Sequence, residues 1–203
     1  NNQLHQTRTN VRLSGVNSVP SEPDASKNWA QPWSYSNEED KFGTFRAEYD
    51  LTDEVTAWAA YGMRRSEEEN SLANLTLSNA NSGDGTFYRF DNAREDRVDT
   101  GEMGLRGHFD TGLVGHDWVV AYSYFQLETK NGFTYDVSGT RTNTNIYQPQ
   151  YVSKPAFTST AVSGNNFYSP SLNTRTKFNS FATGDTLSFM DDRLQVTIGA
   201  RHQ

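Results

Sequence analysis

Apolar and polar positions alternate along several stretches of the chain. From Phe42 to Leu51, Phe45, Ala47, Tyr49 and Leu51 fall on one face and Thr44, Arg46, Glu48 and Asp50 on the other, the period of a strand whose two sides meet different surroundings. A polar turn at Thr52-Asp53-Glu54 leads into Val55 to Arg65, where Val55, Ala57, Ala59, Tyr61 and Met63 oppose Thr56, Trp58, Ala60, Gly62 and Arg64. The two runs predict a hairpin. The pattern returns from Val98 to Asp110, with Met103, Leu105 and Phe109 against Glu102, Arg106 and His108, and the chain turns around Thr111 to Gly115. Trp118 to Leu127 is apolar on both sides, so its sequence leaves open which face is which. Lys177 to Phe189 alternates again, then Met190 to Arg193 turns into Leu194, Val196, Ile198 and Ala200 opposite Gln195, Thr197, Gly199 and Arg201. The expectation is six strands near 42–51, 55–65, 98–110, 117–128, 177–189 and 194–202, each antiparallel to its neighbour in the chain.

Between the hairpins lie long polar stretches, 13–41, 67–97 and 130–174, which read as loops; Gln3 to Leu13 reads as a polar strand extending beyond a membrane. Most connections in compact domains are about 4 to 6 residues. Long loops at one end of the strands and short turns at the other are what an outer-membrane barrel produces, with short periplasmic turns and long extracellular loops. A soluble sandwich gives the same alternation with its faces inverted, so the loop asymmetry decides. Tyr49, Tyr61, Phe109 and Phe189 near strand ends fit an interfacial girdle, and aromatic residues also favour strands in general.

Composition supports this reading. Hydrophobic residues make up only 34% of the 203 positions while aromatic residues reach 13%, and mean hydropathy is −0.80. Disordered chains are poor in aromatic residues, so the polarity belongs to sheet with polar loops. No apolar run approaches the roughly 20 residues of a membrane-spanning helix, whereas a barrel strand needs only about 9 to 11 with every second one apolar. The net charge of −7 argues against a nucleic-acid partner. The absence of cysteine removes disulfides, thiolate metal sites and cysteine nucleophiles. Asn1 carries neither an initiating Met nor a signal segment, and Gly199 to Gln203 stops inside an alternating run, so an internal stretch of a longer protein is expected.

Catalytic chemistry finds no support. His5, His108, His116 and His202 are scattered without metal-ligand spacing, Glu67-Glu68-Glu69 and Asp191-Asp192 lack the ordered spacing of a calcium loop, and Gly-x-Ser-x-Gly is absent. No enzyme is expected. What stands out is the aromatic content of the loops: Trp29, Trp33 and Tyr35, then Tyr88, then Tyr147, Tyr151, Phe167 and Tyr168. Rings on polar loops can cover an organic ligand at low entropic cost, and they can equally form small cores that hold the loops together.

Asn28-Trp29-Ala30-Gln31-Pro32-Trp33-Ser34, followed by Phe45-Arg46-Ala47-Glu48-Tyr49-Asp50-Leu51-Thr52-Asp53, resembles TonB-dependent siderophore receptors of the ferric-hydroxamate and ferripyoverdine type. Ala59 to Glu67 and Arg193 to Arg201 resemble later strands of the same family. The resemblance implies an all-β chain of antiparallel strands, a fragment of a roughly 22-stranded transmembrane barrel, with residues 1–203 part of the barrel domain and the plug domain and C-terminal strands outside it. It implies an outer-membrane receptor binding a ferric siderophore at its extracellular mouth, with iron held by the siderophore and no protein cofactor. TonB would act through the plug, and lipid would surround the wall. Trp29, Trp33, Tyr35, Tyr88, Tyr147, Tyr151 and Tyr168 are the expected ligand-binding residues. Cobalamin, haem or a glycan as cargo, and a soluble all-β carbohydrate-binding module, are the competing expectations.

Overall fold

A computed structural model describes residues 2–5, 10–13, 15–157, 160–166, 169–190 and 192–203. The elements in chain order are β1 (Asn2–His5), β2 (Val11–Arg12), β3 (Tyr35–Asp50), β4 (Val55–Leu77), β5 (Asp84–Thr111), β6 (Val114–Asp136), β7 (Thr142–Asn145), β8 (Thr160–Ser163), β9 (Asn165–Asn166), β10 (Ser169–Pro170), β11 (Leu172–Phe189) and β12 (Leu194–His202). One ten-stranded sheet runs β1-β3-β4-β5-β6-β11-β12, with β2 beside β4, β7 beside β5 and β8 beside β6; β9 and β10 form a separate pair. All six expected strands are present as successive neighbours. β11 and β12 pair antiparallel from Phe181↔His202 to Phe189↔Leu194. The short turns fall at the expected places, closed in the first by Leu51 N–H on the Val55 carbonyl at 2.8 Å; Asp191 of the last turn lies outside the described residues.

The expected loop at 67–97 is corrected. Those residues continue β4 and β5, joined by a tight connection in which the Ser78 amide donates to the Asp84 carbonyl at 2.8 Å. Likewise, 130–136 continue β6, and β3 begins at Tyr35 inside the expected first loop. The mostly polar runs Glu67 to Ser71 and Asp91 to Asp96 hid these extensions, because alternation is visible only where the faces differ. In the N-terminal stretch, β1 pairs antiparallel with β3 and β2 pairs parallel with β4.

The chain divides into two compact units, 1–40 with 66–95 and 129–173, and 41–65 with 96–128 and 174–203. In the second, the alternation becomes two chemically distinct faces. Phe45, Tyr49, Tyr61, Met63, Met103, Leu105, Phe109, Phe181, Val196 and Ile198 are exposed, the inverse of a sandwich with a buried apolar side. The other face holds a polar lattice. Arg46 donates to Glu48 at 2.7 Å, Arg106 also pairs with Glu48, and the Arg46 guanidinium lies 5.3 Å from the Trp58 ring centroid.

Two glycines settle the face of β6 that its sequence left open. A Cβ on Gly104 would stand 2.8 Å from the Trp58 ring, and one on Gly107 would stand 2.8 Å from the Trp118 ring. Gly104 shares the face of Arg106, and Gly107 that of Met103 and Leu105, because side chains alternate along a strand. Trp118, Val120 and Tyr122 therefore belong to the apolar face, and Val119, Ala121 and Ser123 to the polar one. The Ser123–Ser180 hydroxyl pair at 2.7 Å and the contact of Tyr122 with Phe181, ring centroids 4.9 Å apart, carry this assignment onto β11.

Candidate functional site

The aromatic residues singled out in the sequence gather in the first unit, where the extended parts of β4 and β5 also present two faces. On one face Ala73, Leu75, Leu77 and Phe87 are buried with Ala80 and Ile146, and Val11, Val16, Trp29, Trp33 and Tyr147 pack against them. This small core is the reason the long segments around 11–34 and 145–157 can hold a defined shape. Polar bonds stitch the two segments together. Gln31, itself buried, donates its side-chain amide to the Gln150 carbonyl at 2.8 Å and accepts from the Val152 amide at 3.0 Å, while the Tyr151 hydroxyl donates to the Asn28 carbonyl at 2.7 Å. The Tyr147 hydroxyl reaches the carbonyls of Ser21 at 3.3 Å and Ala80 at 3.2 Å.

A charged cluster borders this core. Arg89 forms a close ion pair with Asp91, donates to the Pro155 carbonyl at 3.0 Å, and stacks its guanidinium 4.0 Å from the Phe157 centroid. Lys154 lies over the rings of Tyr35 and Trp33, 5.6 and 6.0 Å from their centroids. Burial lowers the Lys154 pKa below the usual lysine range, with Arg89 acting in the same direction. The Tyr35 hydroxyl donates to Glu69 at 2.6 Å. Burial first, then that hydrogen bond, raises the Tyr35 pKa far above the ordinary phenol value, so it stays a neutral donor.

The opposite face carries a ladder of half-buried rings. Tyr88 meets Tyr135 edge-on at 6.4 Å, Phe90 stacks on Phe133 at 5.9 Å, and Phe133 stacks on Tyr135 at 6.3 Å. The Arg141 guanidinium sits 4.5 Å from the Tyr88 centroid, and Asn74 lies 3.5 Å from its hydroxyl. Tyr88 was among the residues singled out from the sequence, and its partners Phe90, Phe133 and Tyr135 were not. Their strand alternation, 88 with 90 and 133 with 135, was the available signal.

Of the seven expected ligand residues, Trp29, Trp33 and Tyr147 thus pack the core, Tyr35 joins the Lys154 and Glu69 cluster, Tyr151 is exposed with its hydroxyl tied to Asn28, and Tyr88 belongs to the ladder. Tyr168, with Phe167, lies outside the described residues. Among the described residues, no group of three or more histidine or carboxylate side chains is placed to hold a metal ion.

Comparison with known proteins gives a consistent set of relatives. The chain is 32% identical over 200 residues to the ferrichrome receptor FcuA of Yersinia enterocolitica, an alignment covering 98% of this chain and 25% of that protein. It is 30% identical over 117 residues to a probable TonB-dependent siderophore receptor, PiuA, of Acinetobacter baumannii, covering 56% of this chain and 16% of that one. The crystal structure of BauA, the ferric preacinetobactin receptor of Acinetobacter baumannii, superposes with a TM-score of 0.80 at 27% identity, over 98% of this chain and 29% of that chain. The chain therefore spans a quarter or less of the length of its curated relatives. No family model matches it.

Proposed function

We propose, for a chain that belongs to the TonB-dependent siderophore receptors, that its second unit is wall of an outer-membrane barrel and its first unit presents the surface on which a ferric siderophore is captured for TonB-energised uptake. The observation that carries the capture site is the ladder of Tyr88, Phe90, Phe133 and Tyr135 with Arg141 over one end. An iron chelate offers a largely organic surface with polar edges. Rings cover the first while hydroxyl and guanidinium groups meet the second. The iron stays in its chelate and needs no protein ligand, TonB acts through a plug domain outside these residues, and no catalytic step is assigned. Within the expected set we assign Tyr88 to ligand contact, and Trp29, Trp33 and Tyr147 to the core of the opposite face, the side on which Tyr35 and Tyr151 also lie.

The test uses the full-length receptor with ferrichrome and ferric preacinetobactin, the cargoes named for two relatives, as probes. Ligand binding and thermal melting are measured together. Tyr88→Ala should weaken binding of the recognised chelate by about fivefold, the loss of one aromatic contact of roughly 1 kcal/mol, with melting little changed. Trp33→Ala should lower the melting temperature first. Full affinity in both Tyr88→Ala and Phe133→Ala, with a chelate that binds the parent, would remove the ladder from the site.

A further inference from the structure

The apolar face of the second unit carries one group of polar side chains that packing does not call for. His116 lies two residues before Trp118, and Phe109 and Thr111 alternate in step with Met103 and Leu105, so all three stand on the apolar face. Asp185 joins them from β11, directly opposite Ile198 of β12 and therefore on the same face. His116 Nδ1 lies 2.8 Å from Asp185 Oδ2, and Nε2 lies 2.7 Å from the Thr111 hydroxyl. The Phe109 ring stacks on the imidazole, centroids 4.5 Å apart and planes within 8° of parallel, and fixes its orientation. The His116 and Asp185 side chains are largely covered, at 15% and 27% exposure, whereas Thr111, at the mouth of the Gly112-Leu113 turn, is exposed. Asp185 Oδ1 is buried with no hydrogen-bond partner among the described residues. Such a carboxylate is costly on an apolar face, and packing alone gives no reason to keep it.

The contacts fix the protons. A carboxylate only accepts, so His116 Nδ1 carries the hydrogen and donates it to Asp185. The neutral imidazole then has its acceptor at Nε2, and the Thr111 hydroxyl donates to it. The order is hydroxyl, base, and carboxylate holding the base, the order that activates an oxygen nucleophile. His108 gives the contrast. Its two nitrogens face Asp117 at 3.0 Å and Asp110 at 3.4 Å on the polar face, so neither is left to take a proton from a hydroxyl. Thr111, His116 and Asp185 come from β5, β6 and β11, a constellation that no spacing within the sequence displays.

We propose that Thr111, His116 and Asp185 form an acyl-ester hydrolase site, separate from uptake, whose substrate is a membrane glycerolipid at the short-turn end of the wall. The proposal rests on reading this face as the one that meets the membrane. Thr111 then stands where hydrocarbon gives way to water, the level of a glycerolipid's ester carbonyls, and a substrate confined to the bilayer needs no pocket to reach it. Thr111 Oγ1 attacks the ester carbonyl carbon while its proton passes to His116 Nε2. The amide of Gly112, next to the nucleophile in the turn, is the donor available to the oxyanion. Collapse breaks the ester C–O bond, and the departing glycerol oxygen takes the proton from Nε2, leaving the acyl group on Thr111. Water then attacks the acyl carbon and gives a proton to Nε2; Thr111 Oγ1 leaves with that proton, and a fatty acid is released.

The experiment treats the full-length receptor in detergent with a fluorophosphonate, locates the adduct by mass spectrometry, and measures fatty acid released from vesicles of labelled phosphatidylethanolamine. The gel mobility of the folded form verifies that each variant is assembled. The parent should carry the adduct on Thr111 and release fatty acid. Thr111→Val, close in volume and lacking the hydroxyl, should abolish both, and Thr111→Ser should retain both. Asp185→Asn, which keeps the shape, should slow release at least about a hundredfold. No adduct on Thr111 in the parent overturns the proposal, and so does release that is equal in the parent and Thr111→Val. An adduct without lipid release overturns the lipid substrate. Whether arginine then costs more at Ala59 or at Ala60 tells if the reading of the wall fell with it.

Discussion

Adjacent alanines on β4 give the sharpest test of which face meets lipid. Ala59 frames an apolar hollow beside Tyr49 and Met103. Ala60 lies on the other side, among Thr44, Arg46, Thr100 and Glu102. Ala59 is five residues beyond Glu54 in the short turn. At about 3.4 Å per residue and a strand tilt near 40°, that places it roughly 13 Å above the turn, close to the middle of an apolar band about 25 Å tall. An arginine on the lipid side at that depth costs about 2–4 kcal/mol. Ala60→Arg enters a polar lattice that already contains Arg46 and Glu102, one repelling and one attracting it, and should change stability by less than about 1 kcal/mol. Folding titrations of the full-length receptor into phospholipid vesicles, read by the mobility shift of the folded form, measure both. Equal costs, or a larger cost for Ala60→Arg, would refute the face assignment and with it the depth calculation.

Three further outcomes are expected. Asp84 is held below the usual carboxylate range by hydrogen bonds from the Ser82 hydroxyl and the Asn145 side-chain amide; the stabilisation is present above the unfolded-state pKa of about 4 and is lost as pH falls through the lowered folded-state value. Hydrogen exchange of the Ile146 amide, bonded to the Gly83 carbonyl, should therefore accelerate only in acid below about pH 4, and Asp84→Asn should remove that dependence. Arg65→Ala deletes a bidentate pair with Asp99 at 2.8 and 3.0 Å whose members are both partly exposed; melting should report a loss of no more than about 1 kcal/mol. Gln31→Ala removes the buried link to Gln150 and Val152, and limited proteolysis should then cut within 145–157 faster than in the parent, at a stability cost of roughly 1–3 kcal/mol; an unchanged cleavage rate would mean the small core alone holds that segment.

The wall was legible because its two faces meet different media. Phe45, Ala47 and Tyr49 against Arg46 and Glu48 announce a strand and its orientation at once. Trp118 to Leu127 announced only the strand, since Val119 and Ala121 are as apolar as Val120; the orientation came from Trp118 lying over Gly107, a contact between different strands that periodicity within one cannot contain. Residues 67–97 failed for a different reason. Glu67 to Asn70 and Asp91 to Asp96 are poor strand formers by propensity, and tertiary pairing overrides that preference. The Ala73, Leu75, Leu77 alternation and the Asn-rich turn before Asp84 were nevertheless present. At the candidate site, aromatic richness marked segments but not positions: Trp33 packs against Phe87 on one face of β5, whereas Tyr88 projects from the other.

The two glycines of β5 also bear on how this strand can be inherited. Each is roofed by a tryptophan from a different neighbour, Trp58 of β4 on one side and Trp118 of β6 on the other. Sliding β5 by two residues against either neighbour would drive an indole into the side chain of Glu102, Arg106, Leu105 or Phe109. The arrangement is a lock with two keys, cut on opposite faces and held by separate strands. A recombination event that imports β5 from a related barrel without both tryptophans loses the lock on one face or collides on it. The three strands are thus expected to pass between lineages as one block.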